Sequence, residues 1–429
     1  LIGWIDSRQI QSLNGEWSYI VDPMNNGLPE SSFFGGFPKN KIQKTGMELI
    51  EYNFETASKI QIPGAWNAID ERLFFYRGPV WLYKKFNYSP KKEALTHLYI
   101  EGSNFTTKIF LNGSIIGEFE GGYVPFNFNI SKYLKEGENI LLVQTDNTLN
   151  ESSVPTQKTD WWPWGGIVGD VYLVETPNDY IRNAYLQLNP DNFSEAVFKL
   201  QMATKSSRQK VILEIPELNY KEEFGTDSSG FIQKNIAISP ELWSPSNPKL
   251  YKVIISSQNE SISDEIGFRS IKTKGQKIYL NNNEIKFKGI AMHSEPIGAP
   301  GPAYSKEHFK KLLATAADLN INFVRAAHYP YTRHLSKVAD QIGLMVWEEI
   351  PVYWNIDWQN PDTLKIAKDQ INRLVQRDQN RASVVVWSVV YATPPAPPVA
   401  DNVLKDDVPP VLPVPLVVFK APPAPTVTV

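Results

Sequence analysis

The sequence predicts a multidomain chain of β plus α/β class: two β-sandwiches in succession, followed by a (β/α) barrel. Three observations carry this reading. Up to about residue 270, short β-branched and aromatic runs are broken by turn signals at intervals of roughly ten residues. Beyond that point the hydrophobic period changes, and apolar runs alternate with amphipathic helical segments, the pattern of a parallel sheet. The chain has 429 residues, and ordinary domains run roughly 100 to 200, so two or three are expected.

In the first sandwich, residues 1–177, "KIFLNGSIIGEF" is a hairpin in which Asn112-Gly113 supplies the positive-φ pair of a tight turn. "GYVPFNFNISKYLKEGENILLVQTDN" repeats that logic, with Phe126, Phe128 and Ile130 alternating. A seam follows "VGDVYLVET" at Thr176-Pro177, and a fresh strand, "IRNAYLQLN", opens a second sandwich over residues 178–273, near the immunoglobulin-like size. After the hairpin "IYLNNNEIKFKGI", Ser305 caps a helix with Phe309, Leu312, Leu313 and Ala316 on one face. Strand "INFVRAAH", helix "TRHLSKVADQIG", strand "LMVWEEIP", helix "TLKIAKDQINRLVQRD" and strand "SVVVWSVV" then alternate. An open doubly wound sheet is the structural rival. The barrel is preferred because polar residues end each strand, as barrel active sites require: His293 to Glu295, Arg325 to His328, Glu348-Glu349 and Ser388.

Composition excludes several classes of function. A net charge of -3 and a pI near 6.1 leave no basic footprint for nucleic acid or an anionic membrane. Zero cysteines remove disulfides, thiolate nucleophiles and cysteine-ligated metals together. No apolar run approaches the roughly 20 residues of a spanning helix, and a start at Leu1 reads as a processed or trimmed chain, with a periplasmic or secreted setting expected ahead of the cytoplasm. Asn-x-Ser/Thr triplets at Asn87, Asn104, Asn112, Asn129, Asn150, Asn192 and Asn259 read as turn chemistry rather than glycan acceptors. No cofactor is expected, and a homo-oligomer is compatible with the sequence.

The candidate site residues cluster at strand ends. Arg325 and His328 follow an apolar run and would hydrogen-bond a polyhydroxylated ligand, a buried salt bridge being the alternative for Arg325. His293 and Glu295, two apart, face the same way; metal ligation competes there, but no third ligand stands at helical or hairpin spacing. In "WEEIPVYWNIDW", alternation sends one glutamate to the barrel and one to the helices, and Glu349, nearer the mouth, is the better candidate. Trp354 would stack on a sugar or close the core. In "TDWWPWGG", two of the three tryptophans read as core, while Asp160 would reach across a domain interface.

These stretches together resemble glycoside hydrolase family 2, the β-galactosidase, β-glucuronidase and β-mannosidase group. "NFVRAAHYPYTRHLSKVADQIGLMVW" resembles the family's first signature throughout, with Asn322, Arg325, His328, Tyr329, Pro330, Asp340 and Gly343 in place, and "NRASVVVWS" is similar to its second. The resemblance covers about residues 10 to 390. It implies a sugar-binding jelly roll, an immunoglobulin-like sandwich and a catalytic (β/α)8 TIM barrel, here incomplete, with retaining exo-hydrolysis of a terminal β-linked sugar. It further implies that Asp160, His293 and His328 are sugar-hydroxyl ligands and that Arg325 supports the carboxylates. No metal is expected, since the acidic-x-His step of magnesium-binding members is replaced by "EEIPVYW". A galactoside or glucuronide is expected ahead of a mannoside.

The resemblance breaks after Trp387-Ser388. The family continues through two residues into Asn-Glu, whose Glu is the acid/base; this chain has Tyr391 and Ala392 there. Residues 274–392 would make only the first half of a barrel, and residues 393–429 use few amino-acid types besides Pro, Val, Ala, Leu, Asp and Lys. That tail reads either as a Pro-rich disordered segment or as a stretch that is not the natural sequence. Neither catalytic carboxylate is then intact in this chain, and a noncatalytic carbohydrate-binding protein is the rival function.

Overall fold

The computed structural model describes residues 1–28, 37, 53–204, 208–353 and 356–389. The first part is a two-sheet sandwich. A six-stranded sheet runs in the order Lys59–Ile62, Gly15–Val21, Pro79–Tyr88, Gly137–Asp146, Thr106–Leu111, Ser114–Glu120. A four-stranded sheet runs Ile10–Ser12, Val171–Pro177, Ala94–Ile100, Phe126–Asn129. The Asn112-Gly113 turn has φ values of 51° and 83°, which is why a side-chain-free or Asx residue is required there. The next expected hairpin does not form. Phe126–Asn129 pairs with Ala94–Ile100, whereas Gly137–Asp146 joins the other sheet, so the chain crosses the sandwich through the short helical turn Ser131–Tyr133. Both segments alternate in hydrophobicity, and alternation alone does not say which sheet a strand enters. Asn104 and Asn112 are consumed by internal hydrogen bonds to the Trp164 and Tyr133 carbonyls.

The second sandwich stacks a three-stranded sheet (Tyr180–Asn189, Asn192–Ala203, Phe231–Ala237) on a four-stranded one (Tyr220–Gly225, Lys210–Ile215, Tyr251–Ser257, Ser261–Ile266). Its core, built on Phe198, Leu213, Val253 and Phe268, is separate from that of its neighbours.

The α/β part contributes strands β1 (Gly289–Met292), β2 (Phe323–Ala326), β3 (Met345–Glu349) and β4 (Val384–Ser388), all parallel. Helices α1 (Lys306–Asp318), α2 (His334–Ile342) and α3 (Pro361–Asp378) alternate with them. Sheet order equals sequence order; a doubly wound sheet would reverse direction, and a barrel does not. Local chemistry sets the ends. Ser305 caps α1 by accepting from the His308 amide at 3.2 Å, and Asn360 caps α3 ahead of Pro361. Gly343 ends α2 at φ 78°, and a Cβ there would lie 2.5 Å from the Pro245 carbonyl oxygen.

One hydrophobic core runs unbroken from the jelly roll (Trp17, Ile100, Phe126) through Tyr123 and Trp161 into the barrel helices (Phe309, Leu335, Leu374). Charged ties fix the same docking. The Arg333 amide donates to Glu101 Oε1 at 2.6 Å, and its guanidinium pairs with Glu101, with Asp170 at 3.1 Å and with Asp6 at 3.1 Å. Glu101, Asp170 and His334 come close enough together to hold a cation, but the Arg333 guanidinium already pairs with both carboxylates. The barrel sheet is unevenly covered: β4 is buried throughout, whereas three of the four residues of β1 are exposed.

Candidate active site

Strands β1 to β4 deliver their C-terminal ends to one mouth, roofed by the jelly-roll segment around Trp161. Alternation along β3 splits the two glutamates. Glu348 turns to the helix layer, where Arg377 and Asp378 of α3 surround it; burial first, then the Asp378 charge, pushes its carboxyl well above the ordinary range. Glu349 turns to the mouth and is 4% exposed. A buried carboxylate survives only where its lone pairs are engaged, and here all are. Arg325 donates from Nε to Oε2 at 3.1 Å and from Nη2 to Oε1 and Oε2 at 2.9 Å each. His328 Nδ1 lies 2.9 Å from Oε1, and Ser388 Oγ donates to Oε2 at 3.1 Å. The ends of β2, β3 and β4 therefore meet on one side chain.

Trp347 supports this group twice: its Nε1 donates to Ser388 Oγ at 3.0 Å, and its ring lies 4.4 Å beneath the Arg325 guanidinium. A carboxylate so fully engaged is a poor nucleophile. Its geometric work is to fix the His328 ring by Nδ1.

His293, from the end of β1, sits edge-on to His328 with ring centroids 5.7 Å apart. Burial, followed by the neighbouring His328, lowers its pKa below the usual 6.5, so the ring is neutral at neutral pH. Its Nδ1 is buried and has no hydrogen-bond partner among the described residues. Trp161 spans the top, 5.8 Å from His328 and 6.5 Å from His293. Tyr353, 4.7 Å from His328, donates its hydroxyl to Asp160 Oδ2. Asp160 is thus held over the barrel mouth from the jelly roll, across the domain interface.

Of the residues singled out from sequence, Arg325, His328 and Glu349 are in direct contact, His293 stands against His328, and Asp160 joins them through Tyr353. Glu295 is exposed at the same end, close enough for its charge to act on His293 and Tyr329. Trp354, Tyr391 and Ala392 lie outside the described residues. Sequence reasoning missed Tyr353 and Trp347, and placed Ser388 at a strand end without a role. Tyr353 was one of four aromatics in "WEEIPVYWNIDW", and only the turn after β3 reveals which of them faces the jelly roll. Trp161 and Trp164 are buried, while Trp162 is half-exposed.

The chain matches the sequence profiles of glycosyl hydrolases family 2 in three consecutive blocks: the sugar binding domain over residues 10–177, the family's central domain over 179–269, and the TIM barrel domain over 271–396. A putative beta-glucuronidase of Formosa agariphila is 26% identical over 403 residues, covering 90% of this chain and 46% of that protein. A beta-galactosidase of Thermoanaerobacterium thermosulfurigenes is 28% identical over 407 residues, covering 89% and 54%. Among solved structures, a beta-glucuronidase from an uncultured Clostridium sp. superposes with a TM-score of 0.75 at 25% identity, covering 90% of this chain and 67% of that one. The chain spans about half the length of the curated relatives it matches. With three consecutive domains matched in order, and a jelly roll that reaches the barrel mouth through Asp160, the chain belongs to glycoside hydrolase family 2.

Proposed function

We propose that the natural protein is a retaining exo-glycosidase that removes a terminal β-linked galactoside or glucuronide, and that this chain supplies its sugar-binding half. The observation that carries the reading is the convergence of Asp160, His293, His328 and the Arg325–Glu349 pair on one mouth. Imidazole rings and carboxylates suit hydroxyl groups, which both donate and accept. Asp160 and the two histidines bind the sugar; Arg325 and Glu349 act through His328 as positioning residues. Retaining chemistry needs two further carboxyl groups about 5 to 5.5 Å apart, one to protonate the leaving oxygen and one to attack the anomeric carbon. The acid/base belongs just after β4, at the position Ala392 occupies here, and the nucleophile to a barrel strand further along; this chain spans about half the length of its relatives.

A second reading is favoured by one observation: Tyr391 and Ala392 stand where the family's Asn-Glu acid/base pair is expected. Under it the protein binds carbohydrate without hydrolysing it. Sequencing the gene past Ser388, together with intact mass and an aryl β-glycoside panel on the natural protein, decides between them. A mass above 48.7 kDa with turnover of an aryl galactoside or glucuronide supports the hydrolase. A chain of that mass that binds the sugars without turnover supports the binder.

A further inference from the structure

The jelly-roll surface beside the barrel mouth carries a cluster of aromatic rings that the sugar site does not use. Phe75 is 81% exposed and Phe74 41% exposed. Their rings meet edge to face at 4.9 Å, and Trp162 lies 4.4 Å from Phe74 and 5.7 Å from Phe75. Large apolar side chains are left in water as a contiguous group only where something covers them or binds them. Trp162 adjoins Trp161, the ring over His293 and His328, and both tryptophans line one cleft of about 570 Å³ together with Asp160, Arg77 and Lys158. The cleft therefore runs outward from the carboxylate of the sugar site to the exposed rings.

Resting on the exo-glycosidase reading, we infer that Phe74, Phe75 and Trp162 form the platform for the leaving-group sugar of a β-linked oligosaccharide. An exo-acting site holds the terminal sugar in the barrel mouth, so the next residue of the chain must leave through an opening beside it. The C–H face of a pyranose stacks on aromatic rings, while its hydroxyl groups need donors and acceptors at the rim. Here Trp162, the ring against which Phe74 and Phe75 pack, shares its cleft with Arg77, Gln157, Lys158, Thr159 and Asp160, which suits a sugar ring better than a wholly apolar aglycone. The backbone explains why the rings face out: Asp70 caps the helical turn Glu71–Leu73 by accepting from the Arg72 amide, and the buried Asn67 side chain holds the Leu73, Phe74 and Tyr76 carbonyls at 2.9, 3.1 and 3.0 Å. The loop is thus pinned from beneath, leaving the Phe74 and Phe75 side chains on its outer face.

The test is calorimetric binding to the natural full-length protein and to its Phe75→Ala variant, whose side chain is too exposed to matter for folding. The probes are methyl β-D-galactoside and methyl β-D-glucuronide against lactose and the disaccharide of β-D-glucuronic acid linked to N-acetylglucosamine. The expected result is that the disaccharide sharing the preferred terminal sugar binds roughly 3- to 10-fold tighter than its methyl glycoside. That gain should disappear in Phe75→Ala while methyl-glycoside affinity is unchanged. Methyl-glycoside binding without a Phe75-dependent gain for the disaccharide overturns the platform alone. Absence of any methyl-glycoside binding overturns the sugar-site reading, and the platform with it.

Discussion

The Tyr353 hydroxyl, on the loop after β3, donates to the Asp160 carboxylate of the jelly roll, joining residues 193 positions apart across the domain interface. The bond is between a buried phenol and an exposed carboxylate, so it sets the position of the acid without removing it from a ligand's reach. Asp160→Ala is expected to weaken binding of the monosaccharide product by about 10- to 100-fold, the loss of a charged hydrogen bond of roughly 1.5 to 3 kcal/mol. Tyr353→Phe, which frees the carboxylate to move, should lose less. Calorimetric titration of both variants checks this, and unchanged affinity in Asp160→Ala would remove that residue from the site.

Glu349 ties together three strand ends, and its loss leaves Arg325 as a largely buried cation without its main counter-charge. Glu349→Ala is expected to cost about 3 kcal/mol or more, seen as a lowered midpoint in thermal or urea unfolding. Glu349→Gln, which keeps the shape and some hydrogen bonds, should fall between the two. Sugar affinity should drop in both, because His328 loses the partner that orients its ring. A variant with full stability and full affinity would show that Glu349 organises nothing.

The strand-end residues were legible in the sequence because a barrel is built by periodic alternation: an apolar run followed by Arg325 or Glu349 locates the mouth before any coordinates exist. Glu348 against Glu349 was likewise decided by the two-residue period of a strand. What periodicity does not encode is which distant surface meets the mouth. Tyr353 reaches Asp160 and Trp161 covers His293 only because the jelly roll docks on the barrel helices, and that docking depends on buried ties such as Arg333 to Glu101. Asn380 and Arg381, in the stretch similar to the family's second signature, join the domains. The Asn380 side chain accepts from the Leu186 amide and donates to the Ala184 carbonyl, both at 2.9 Å, locking β4 onto the second sandwich.

Arg381 pairs with Asp340 at 3.1 Å and with Asp264 of the second sandwich. Burial pushes the Asp340 carboxyl up from 3.8 to about 6 despite the guanidinium beside it. A carboxyl with a raised folded pKa stabilises the fold at low pH, and that contribution is lost as pH rises through the folded value. Removing Arg381 raises the pKa further and leaves a buried charge unpaired at neutral pH. Arg381→Ala should therefore destabilise by about 3 to 5 kcal/mol above pH 6, and the deficit should narrow as pH falls toward 4. Urea unfolding of both proteins across that range reads the difference; a deficit independent of pH would mean that Asp340 is not the group left uncompensated.

Strand β1 pairs with β2 alone among the described strands, and Gly289, Ile290 and Ala291 are exposed. In a closed barrel the first strand is flanked on both sides, so its outer edge awaits the last strand. An open edge with exposed apolar residues templates association between chains. The 429-residue chain is expected to self-associate with rising concentration in sedimentation velocity, and those Gly289–Met292 amides that point away from β2 to exchange rapidly with deuterium. In the full-length natural protein the same amides should be protected by the closing strand, and concentration-dependent association through this edge should vanish. A monodisperse 429-residue monomer with protected Gly289–Met292 amides would mean that this chain covers the edge itself. The proposal that its catalytic half lies further along the natural sequence would then lose its structural support.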